Sequence, residues 1–410
     1  MAKGRDSKPH IGIFGRRNTG KSSIINALTG QNTAIVSEVA GTTTDPVRKS
    51  LEIHGIGPVI VIDTAGTDDT GKLGNLRIEK TKSVIDQVDL AILVLTDNTF
   101  EAEEKNLVTL FSDHEIPFLV VHNKSDLLVA STDFQEEISR IYSRTIISFS
   151  AHQPEKYMAS LLIAIKENLP PTAYKKRGML GDLLSYGDIV LLITPIDIEA
   201  PEGRLILPQV QVIRDILDND CTAIVLKERE VDAFLRKTGI KPKLVITDSQ
   251  VFPKADASIP RNIPLTSFSI VLARQKGDFE AYIKGTPAIS SLKDGDAVLL
   301  LESCSHQVSC DDIGRIKIPR WISNFTGKKL HYDTVAGLDN LPRPMEDYSL
   351  VIQCGGCMIT HRQLVNRLRN AKLKDVPVTN YGMAIAYVHG IFERAVEPFI
   401  GKLNIMGDIL

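Results

Sequence analysis

An α/β chain of three domains is predicted by three features of the sequence. They are a glycine-rich loop between a strand and a helix, a later run of alternating strands and helices, and a cysteine pair that ends a strand. The 410 residues are 43% hydrophobic, which is enough apolar material for two or three cores. We expect a P-loop domain at 1–171, a small α/β dimerisation-type domain at 172–264, and an α/β metal-binding domain at 265–410.

Composition and charge limit the classes of partner. The formal net charge of -2 gives no general attraction to nucleic acid or to an anionic membrane. Residues 1–10 lack the long apolar core of a signal peptide, and no later segment holds about eighteen consecutive apolar residues. We therefore expect a cytoplasmic protein. The chain has 5 cysteines, an odd number, which favours metal binding or catalysis over a disulfide framework.

The first domain contains the phosphate-binding pattern G-x-x-x-x-G-K-S at residues 15–22. It follows the apolar strand Ile11–Phe14 and precedes a helical segment, which is the context that the pattern requires. In such a loop backbone N–H groups cradle phosphate oxygens, Lys21 neutralises the β- and γ-phosphates, and the Ser22 hydroxyl ligates Mg²⁺. The other residues that we expect to line the phosphate site are Gly15, Asn18, Thr19, Gly20 and Ser23.

A second motif completes the candidate catalytic site. The apolar strand Val59–Asp63 ends in an acid that can orient the Mg²⁺ shell, and the N–H of Gly66 can sense the γ-phosphate. Lys21, Asp63 and Gly66 are therefore candidate catalytic residues.

Two further motifs predict that the nucleotide is GTP and not ATP. The strand that begins at Phe118 leads into Asn123-Lys124-Ser-Asp126, and Asp126 can accept hydrogen bonds from N1–H and the exocyclic amine of guanine. Adenine does not offer that pair of donors. Backbone groups at Ser150 and Ala151, after the strand-like residues 146–149, can meet the guanine O6.

Residues 8–170 resemble the translation-factor-related GTPases of the Era and MnmE type, which act in ribosome assembly and tRNA modification. Gly41-Thr-Thr-Thr-Asp45 is similar to their Gly-Thr-Thr-Arg-Asp switch I, so the resemblance makes Thr43 the candidate sensor of the γ-phosphate and Mg²⁺. Thr44 stands in place of the Arg, and the role of that Arg does not transfer.

The same resemblance bears on the rate of hydrolysis of GTP to GDP and phosphate. Thr67 follows Asp-Thr-Ala-Gly where a Ras-like enzyme carries the Gln that orients water, so slow hydrolysis is expected. Asn18 resembles the residue that coordinates an activating K⁺ ion in such relatives, which implies stimulation by potassium. The alternative is that Asn18 stabilises the loop.

A linker rich in proline and basic residues precedes the middle domain. Strands are predicted at 189–193, 222–226 and 243–247, with helices at 209–217 and 231–237 between them. This βαβαβ pattern carries no phosphate loop and no cluster of histidine or cysteine. We interpret the domain as a spacer or dimerisation unit, and Cys221 as a small buried residue.

The third domain is predicted to bring three cysteines together. After a strand at 267–272, the strand Ala297–Leu301 leads to Cys304, and the strand Tyr348–Gln353 leads to Cys354-Gly-Gly-Cys357. The carboxyl ends of adjacent strands in an open α/β sheet meet at one crevice, so the three thiols can converge. A helix beginning after Cys357 would favour thiolate over thiol.

The cysteine pair alone allows a redox disulfide, half of a zinc site or part of an iron-sulfur site. Three thiolates with an uncertain fourth ligand favour the iron-sulfur interpretation, since structural zinc usually has four protein ligands. His306 is either the fourth ligand or a residue that covers the site. Cys310 lies in a sequence typical of a solvated turn, and His361 is expected at the surface.

The chain resembles over its whole length the HydF family, the GTPases that mature [FeFe]-hydrogenase. The specific part of the resemblance is Cys304-Ser-His306 with Cys354-Gly-Gly-Cys357, plus residues 311–321. The family usually has His immediately before the Cys-x-x-Cys pair. This chain has Gln353, so a second His ligand cannot be carried over and the fourth iron ligand stays open.

The HydF resemblance implies a [4Fe-4S] cluster and a scaffold role in metallocofactor assembly. It implies that a diiron precursor bearing CO and cyanide is received with two radical-SAM maturases and delivered to apo-[FeFe]-hydrogenase by a homodimer, without nucleic acid or membrane. GTP would bias partner docking through the switch segments near Thr43 and 66–74.

Two other functions remain open from the sequence. One is a GTPase of tRNA modification or ribosome assembly with a C-terminal metal or redox domain. It would require an RNA-binding surface, and the third domain offers only scattered cations such as Arg315, Lys317 and Arg320. The other is a thioredoxin-like redox pair at Cys354 and Cys357, with Cys304 and His306 unrelated to it.

Overall fold

The structure is a computed structural model that describes residues 8–30, 47–64, 81, 84–141, 146–174, 178–195, 205–303, 312–337, 339–356 and 359–400. The chain divides into two compact units, 1–176 and 177–410. Among the described residues, none of the helices has the length and apolar character needed to cross a membrane.

The first unit is built on a six-stranded sheet with the order β2-β3-β1-β4-β5-β6. β2 is antiparallel to β3, and every other neighbouring pair is parallel. The strands are β1 (His10–Phe14), β2 (Val47–Ile53), β3 (Gly57–Asp63), β4 (Leu90–Leu95), β5 (Phe118–His122) and β6 (Ile147–Ser148). The helices are α1 (Lys21–Thr29), α2 (Ala102–Asp113), α3 (Thr132–Ile141), α4 (Pro154–Asn168) and α5 (Pro171–Tyr174).

Burial explains why these strands lie at the centre of the first unit. All residues of β1 and of β4 are buried, as expected for parallel strands that are covered on both faces. One apolar cluster contains Ile11 and Ile13, and another contains Phe14, so alternate side chains of β1 enter different cores. The predicted order of strand, phosphate loop and helix is confirmed in this unit.

The second unit contains two four-stranded parallel sheets, with the orders β10-β9-β7-β8 and β12-β11-β13-β14. The strands are β7 (Ile189–Ile193), β8 (Thr222–Leu226), β9 (Leu244–Thr247), β10 (Leu265–Ser267), β11 (Ala297–Leu301), β12 (His331–Val335), β13 (Leu350–Gln353) and β14 (Val378–Asn380). The helices are α6 (Leu207–Asp218), α7 (Val231–Thr238), α8 (Phe252–Ser258), α9 (Phe268–Lys276), α10 (Phe279–Gly285), α11 (Ile318–Thr326), α12 (His361–Leu373), α13 (Tyr381–Val388) and α14 (Phe392–Ile400). Shorter helical turns cover Ser249–Val251, Thr286–Ser291, Ile313–Lys317 and Met345–Asp347.

Both sheets of the second unit follow the same rule. In each sheet the strand that comes first along the chain pairs with the second strand on one side and with the third strand on the other. The fourth strand pairs with the third and lies at the edge. In such sheets the crevice lies where the connections change direction, at the carboxyl ends of the first and third strands. For the second sheet those strands are β11 and β13, whose register pairs Leu301 with Gln353.

The predicted βαβαβ pattern of the middle region is confirmed by β7, α6, β8, α7 and β9. The strand predicted at 267–272 is wrong, because those residues begin α9. Ser267 ends β10, and its hydroxyl accepts a hydrogen bond from the Ile270 N–H and so caps the helix. β10 pairs with β9 in the middle sheet, although the predicted boundary assigns residues from 265 onward to the third domain.

The two sheets of the second unit share one continuous apolar core, which runs from Met179 to Phe399. A nearly buried Arg394 on α14 strengthens this contact. Its guanidinium donates to the Asp256 carboxylate at 2.6 Å and to the carbonyl oxygens of Ile259, Pro260 and Ile263 at 2.7 to 3.1 Å. The last described helix is therefore fastened to the segment that leads into β10.

Candidate functional site

The phosphate loop between β1 and α1 is held in a shape suited to an anion. Gly15 and Gly20 have φ of 140° and 87°, and Asn18 has φ of 60°, so three positions of the loop lie in the left-handed range. The Lys21 ammonium donates to the carbonyl oxygens of Gly15 at 2.9 Å and Arg16 at 2.6 Å. Lys21 thus lies over the loop, where a bound nucleotide would place its β- and γ-phosphates.

The Asn-Lys-x-Asp motif at 123–126, which we expect to bind the guanine base, is fastened to the phosphate loop by Asn123. Its side-chain N–H donates to the Thr19 carbonyl at 2.8 Å, and a Cβ at Gly20 would collide with the same amide nitrogen. Asn123 is 2% exposed, and its Oδ1 has no hydrogen-bond partner among the described residues. A buried acceptor without a donor is costly, so this atom indicates a missing ligand.

Asp126 and Ser150 form the other half of the predicted base site. The Ser150 hydroxyl donates a hydrogen bond to the Asp126 carboxylate, and this bond lowers the pKa of Asp126. The second carboxylate oxygen, Oδ1, is shielded from solvent and has no donor among the described residues. Asp126 is therefore ionised and has a free acceptor, as recognition of guanine N1–H and the exocyclic amine requires. Lys124 has φ of 58° and Ala151 follows Ser150, as the motif predicts.

The two candidate magnesium residues of the described region lie together. The Ser22 hydroxyl, at the start of α1, donates to Asp63 Oδ2 at the end of β3 over 2.5 Å. The parallel pairing of β1 with β3 puts these two elements side by side, with Ile13 opposite Asp63. Ser22 can thus ligate Mg²⁺ while Asp63 orients a ligand of the same ion. Asn18, the candidate potassium ligand, is exposed on the same loop, and Ser23 follows on α1.

Arg16 is a residue of the phosphate loop whose role the motif did not predict. Its guanidinium contacts Glu104 at 2.6 Å and Glu101 at 2.9 Å, at the N-terminus of α2. Glu104 is 2% exposed and also accepts from the Glu101 N–H, so the acceptor is rigid. These bonds fix the loop from outside, and they also fix the Arg16 carbonyl that receives Lys21. Only the three-dimensional proximity of the loop and α2 reveals this anchor.

The cysteine site lies where the second sheet of the second unit changes direction. Cys354 follows β13 directly, and its N–H donates to the Leu301 carbonyl at the end of β11 over 2.9 Å. The Ser303 N–H donates to Cys354 Sγ at 3.1 Å, and the Ser303 hydroxyl lies 2.8 Å from the same sulfur. Ser303 immediately precedes Cys304, so the two strand ends meet as the sequence predicted.

Gln353, the residue immediately before Cys354, is turned inward. Its side chain is fully buried, and its amide nitrogen donates to the Ser303 hydroxyl at 3.2 Å and to the Cys354 carbonyl at 3.1 Å. Cys354 Sγ lies 3.5 Å from the same nitrogen. In this structure Gln353 supports the sulfur and its neighbour from behind.

Two arginines bind Glu302, the residue between the end of β11 and Ser303. Glu302 is 2% exposed and accepts from Arg315 through both carboxylate oxygens, at 2.7 to 3.1 Å. Arg367, on α12, donates to the backbone carbonyls of Glu302 at 2.6 Å and Val335 at 2.7 Å. Burial lowers the pKa of Arg367, and the charge of Cys354 opposes that shift.

Several predicted site residues fall outside the described residues. They are Thr43 and Gly66 of the switch regions, and Cys304, His306, Cys310 and Cys357 of the metal site. In the described part of the chain no three His, Cys, Asp or Glu side chains form a group that could hold a metal ion. Cys221 is 6% exposed, as predicted, and contacts backbone carbonyls.

The expectation that His361 is a surface residue is only partly met. The residue is half-buried at the start of α12, and its Nδ1 lies 2.5 Å from the Lys276 carbonyl. The Lys276 ammonium donates in turn to the Gly356 carbonyl at 2.9 Å and the Ile359 carbonyl at 3.2 Å. Lys276 and His361 therefore hold the loop after Cys354 at the end of α9.

Three known families match successive parts of the chain. Residues 10–124 match a family described as 50S ribosome-binding GTPase. Residues 179–277 match the hydrogen maturase F dimerization domain, and residues 280–398 match the hydrogen maturase F tetramerization domain. The chain therefore contains a P-loop GTPase domain followed by α/β domains of an oligomer-forming family.

Curated relatives match the GTPase region. The chain is 40% identical over 128 residues to the tRNA modification GTPase MnmE of Nitrosomonas europaea, which is 31% of this chain and 28% of the relative. It is 35% identical over 152 residues to the GTPase Der of Wolinella succinogenes, which is 36% of this chain and 31% of the relative. The chain thus spans about three tenths of the length of these relatives.

A crystal structure of Aquifex aeolicus Era is 18% identical, with a TM-score of 0.32, and the match covers 56% of this chain and 98% of that structure. So low a TM-score carries no argument about function. The adjacent maturase F matches after a GTPase domain are specific, and by them the chain belongs to the hydrogen maturase F family.

Proposed function

We propose that the chain is a GTP-hydrolysing scaffold and carrier for assembly of the [FeFe]-hydrogenase cofactor. In this proposal it binds a [4Fe-4S] cluster, receives a diiron precursor with CO and cyanide ligands from radical-SAM maturases, and delivers it to apo-hydrogenase. The observation that carries the proposal is the Cys354 sulfur at the meeting of two parallel strand ends, in a chain of the maturase F family.

The described residues fit an iron-sulfur ligand site. Cys354 Sγ accepts a hydrogen bond from the Ser303 N–H and lies 2.8 Å from the Ser303 hydroxyl, and hydrogen bonds of this kind stabilise a thiolate bound to iron. Cys304 and Cys357 would complete a three-thiolate set, and His306 is the candidate for the fourth ligand. When bound, a cluster with three cysteine ligands supplies an open iron for an external ligand.

The buried amide of Gln353 bears on the fourth ligand. The amide nitrogen of Gln353 already binds the Ser303 hydroxyl and the Cys354 carbonyl, whereas its Oε1 has no hydrogen-bond partner among the described residues. Because an amide carbonyl is a hard ligand that suits Mg²⁺, Ca²⁺ or Mn²⁺ better than an iron-sulfur cluster, we propose that Gln353 is not an iron ligand. The fourth position is then left to His306 or to a ligand from outside the chain. This assignment agrees with a site that exchanges its cargo.

GTP is proposed to regulate docking rather than to drive the chemistry of the metal centre. Lys21, Ser22 and Asp63 would bind the Mg²⁺-nucleotide, and the switch segments near Thr43 and 66–74 would report its γ-phosphate. Hydrolysis would then change which maturase binds. Equal capture of both maturases in the presence of GTP and of GDP would contradict this role.

Stimulation by potassium through Asn18 and assembly as a homodimer through the middle domain are parts of the same proposal. The division of the chain near residues 171 and 264 also remains a prediction. GTP turnover compared in potassium and sodium buffers tests Asn18, and equal rates would remove its proposed role.

Anaerobic reconstitution with iron and sulfide tests the cluster. We expect the full chain to bind about four irons and sulfides, and Cys354→Ala to lose nearly all of the cluster absorption and electron paramagnetic resonance signal. The matched control is Cys221→Ser, which removes a thiol from the middle sheet and is expected to leave the cluster unchanged. Full spectral intensity after substitution of Cys304, Cys354 and Cys357 in turn would disprove the three-thiolate site.

The alternative function, a GTPase of tRNA modification, is supported by the MnmE relatives, but their matches cover about a third of this chain. The maturase F matches cover the region beyond residue 178 and favour the maturation role. Binding of tRNA with an affinity that survives physiological salt would reverse this preference.

A further inference from the structure

One peptide group links the arginine of α12 to the sulfur of Cys354. The carbonyl of Glu302 accepts from the Arg367 guanidinium at 2.6 Å. The N–H of the same peptide, which belongs to Ser303, donates to Cys354 Sγ at 3.1 Å. The arginine, the peptide and the sulfur thus form a continuous series of two hydrogen bonds.

The series has a defined polarity. A charged donor on the carbonyl draws electron density through the peptide and makes its N–H a stronger donor, because successive hydrogen bonds polarise one another. Among the described residues, the Arg367 side chain donates only to the backbone carbonyls of Glu302 and Val335 and makes no ion pair with a carboxylate. The guanidinium therefore acts directly on the peptide that carries the Ser303 N–H.

The peptide is also held rigidly. The Glu302 side chain is nearly buried and is bound by Arg315, while the second Arg367 N–H donates to the Val335 carbonyl at the end of β12. Arg367 thus spans the carboxyl ends of β11 and β12. These contacts fix the direction in which the Ser303 N–H points.

We propose that Arg367 is a positioning residue of the iron-sulfur site, which orients and polarises the Glu302–Ser303 peptide so that its N–H binds the sulfur of Cys354. This inference rests on the proposed cluster function. Hydrogen bonds to a ligating sulfur stabilise the more negative, reduced cluster and so raise its reduction potential.

The experiment is a redox titration of the reconstituted full chain, followed by electron paramagnetic resonance. For Arg367→Gln we expect the ratio of reduced to oxidised cluster at the wild-type midpoint to fall about tenfold, which for one electron is about 59 mV toward negative potential. Arg367→Lys keeps the charge but loses the two-pronged geometry, and we expect a smaller fall of about threefold. Ser303→Ala removes the hydroxyl donor and is expected to shift the potential in the same direction.

The matched control is Arg369→Gln, which removes a charge from the same helix at a residue that makes no hydrogen bond or ion pair with the described residues. We expect its potential to equal that of the wild type. GTP turnover and iron content per chain, measured for every variant, report folding. A merely structural role of Arg367 would lower iron content and stability without changing the potential of the cluster that remains.

The proposal is overturned if Arg367→Gln has the wild-type potential or shifts it no more than Arg369→Gln does. If Arg367→Gln does not fold, Arg367→Lys decides, and an unchanged potential in that variant would overturn the proposal. A wild-type chain that takes up no cluster would sink the proposed function and this inference together. If the wild type takes up a full cluster and the Arg367 variants have its reduction potential, this inference alone is contradicted.

Discussion

The nucleotide site and the cysteine site both lie at the carboxyl ends of parallel strands, yet they offer opposite chemistry. At the base site the side-chain Oδ1 atoms of Asn123 and Asp126 are acceptors that find no donor in the described part of the chain. At the cysteine site, donors from Ser303 and Gln353 already converge on one acceptor, the Cys354 sulfur. The first arrangement suits a ligand that donates hydrogen bonds. The second suits a thiolate, because the surrounding donors stabilise the negative charge on the sulfur.

The comparison also shows how each site is stabilised before a ligand binds. The phosphate loop is closed by Lys21, which occupies carbonyl oxygens of its own loop, and by Arg16, which is bound to the glutamates of α2. The cysteine site depends on side chains from β13, α9 and α12, far apart in sequence. The two sites should therefore fail independently, and this is the first point to test.

The largest expected effect is the loss of GTP turnover in Lys21→Ala. Removal of the ammonium leaves the β- and γ-phosphates without their fixed cation, so we expect the rate to fall at least about 100-fold. Iron and sulfide content should stay at the wild-type level. Lys105→Ala, at a half-exposed lysine of α2, is the control and should change neither quantity. Turnover that survives in Lys21→Ala would mean that the loop is not the catalytic site.

The next effect concerns the nucleotide base. In Asp126→Asn an N–H replaces one carboxylate oxygen, so guanine meets a donor where it needs an acceptor. We expect the affinity for GTP to fall about 100-fold or more, and binding of xanthosine triphosphate to improve, because xanthine offers a carbonyl at that position. Fluorescent analogues of both nucleotides measure the change. Equal affinity for the two nucleotides in the wild type would contradict the assignment of Asp126.

Acid should weaken the nucleotide unit through His10. Burial, helped by the charge of Arg48, lowers the pKa of His10 from 6.5 to about 4. Between these values the unfolded chain binds a proton that the folded chain does not, so stability falls as the pH drops from 6.5 to 4. The loss is about 3 kcal/mol at most, at about 1.4 kcal/mol for each pH unit.

Urea unfolding of the full chain at pH 7 and pH 4.5, followed in the wild type and in His10→Gln, measures this loss. The variant lacks the titrating imidazole and should show a smaller difference between the two pH values. His54→Gln, at an exposed histidine, is the matched control and should behave as the wild type does. An identical pH dependence in His10→Gln would assign the acid sensitivity to other groups.

The smallest predicted effect separates support from ligation at the cysteine site. Gln353→Leu removes the amide that binds the Ser303 hydroxyl and the Cys354 carbonyl, and should cost about 1–3 kcal/mol of unfolding free energy. Iron content should persist, because the side chain is proposed to support the ligands without being one. Loss of iron together with unchanged stability would reverse this assignment and make Gln353 a ligand.

The strands that precede the short motifs of the nucleotide site were predicted correctly from the sequence. The residues around Lys21, Asp63 and Asn123 lie together as expected, because each motif follows a buried strand and parallel strands end at one edge. The meeting of β11 and β13 was predicted on the same ground and is confirmed at Leu301 and Cys354. Where Cys304 and Cys357 lie with respect to Cys354 remains a prediction.

Other contacts had no signal in the sequence. Residues 267–272 form a short apolar run, which suits a buried helix as well as a strand, and the cap at Ser267 decided for the helix. Arg16 and Arg367 form hydrogen bonds with residues 88 and 65 positions away in the chain, and no local sequence pattern predicts such pairs. Ser303 was missed because its role depends on a backbone N–H, which every residue except proline possesses.

The buried Arg394 has a practical consequence for cutting the chain into fragments. The maturase F matches end at residue 277 and resume at residue 280, which invites expression of two separate pieces. A cut there would leave the guanidinium on one fragment, and the Asp256 carboxylate and four backbone carbonyls on the other. Each piece would also expose its share of a common apolar core, so the two are better produced as a single polypeptide.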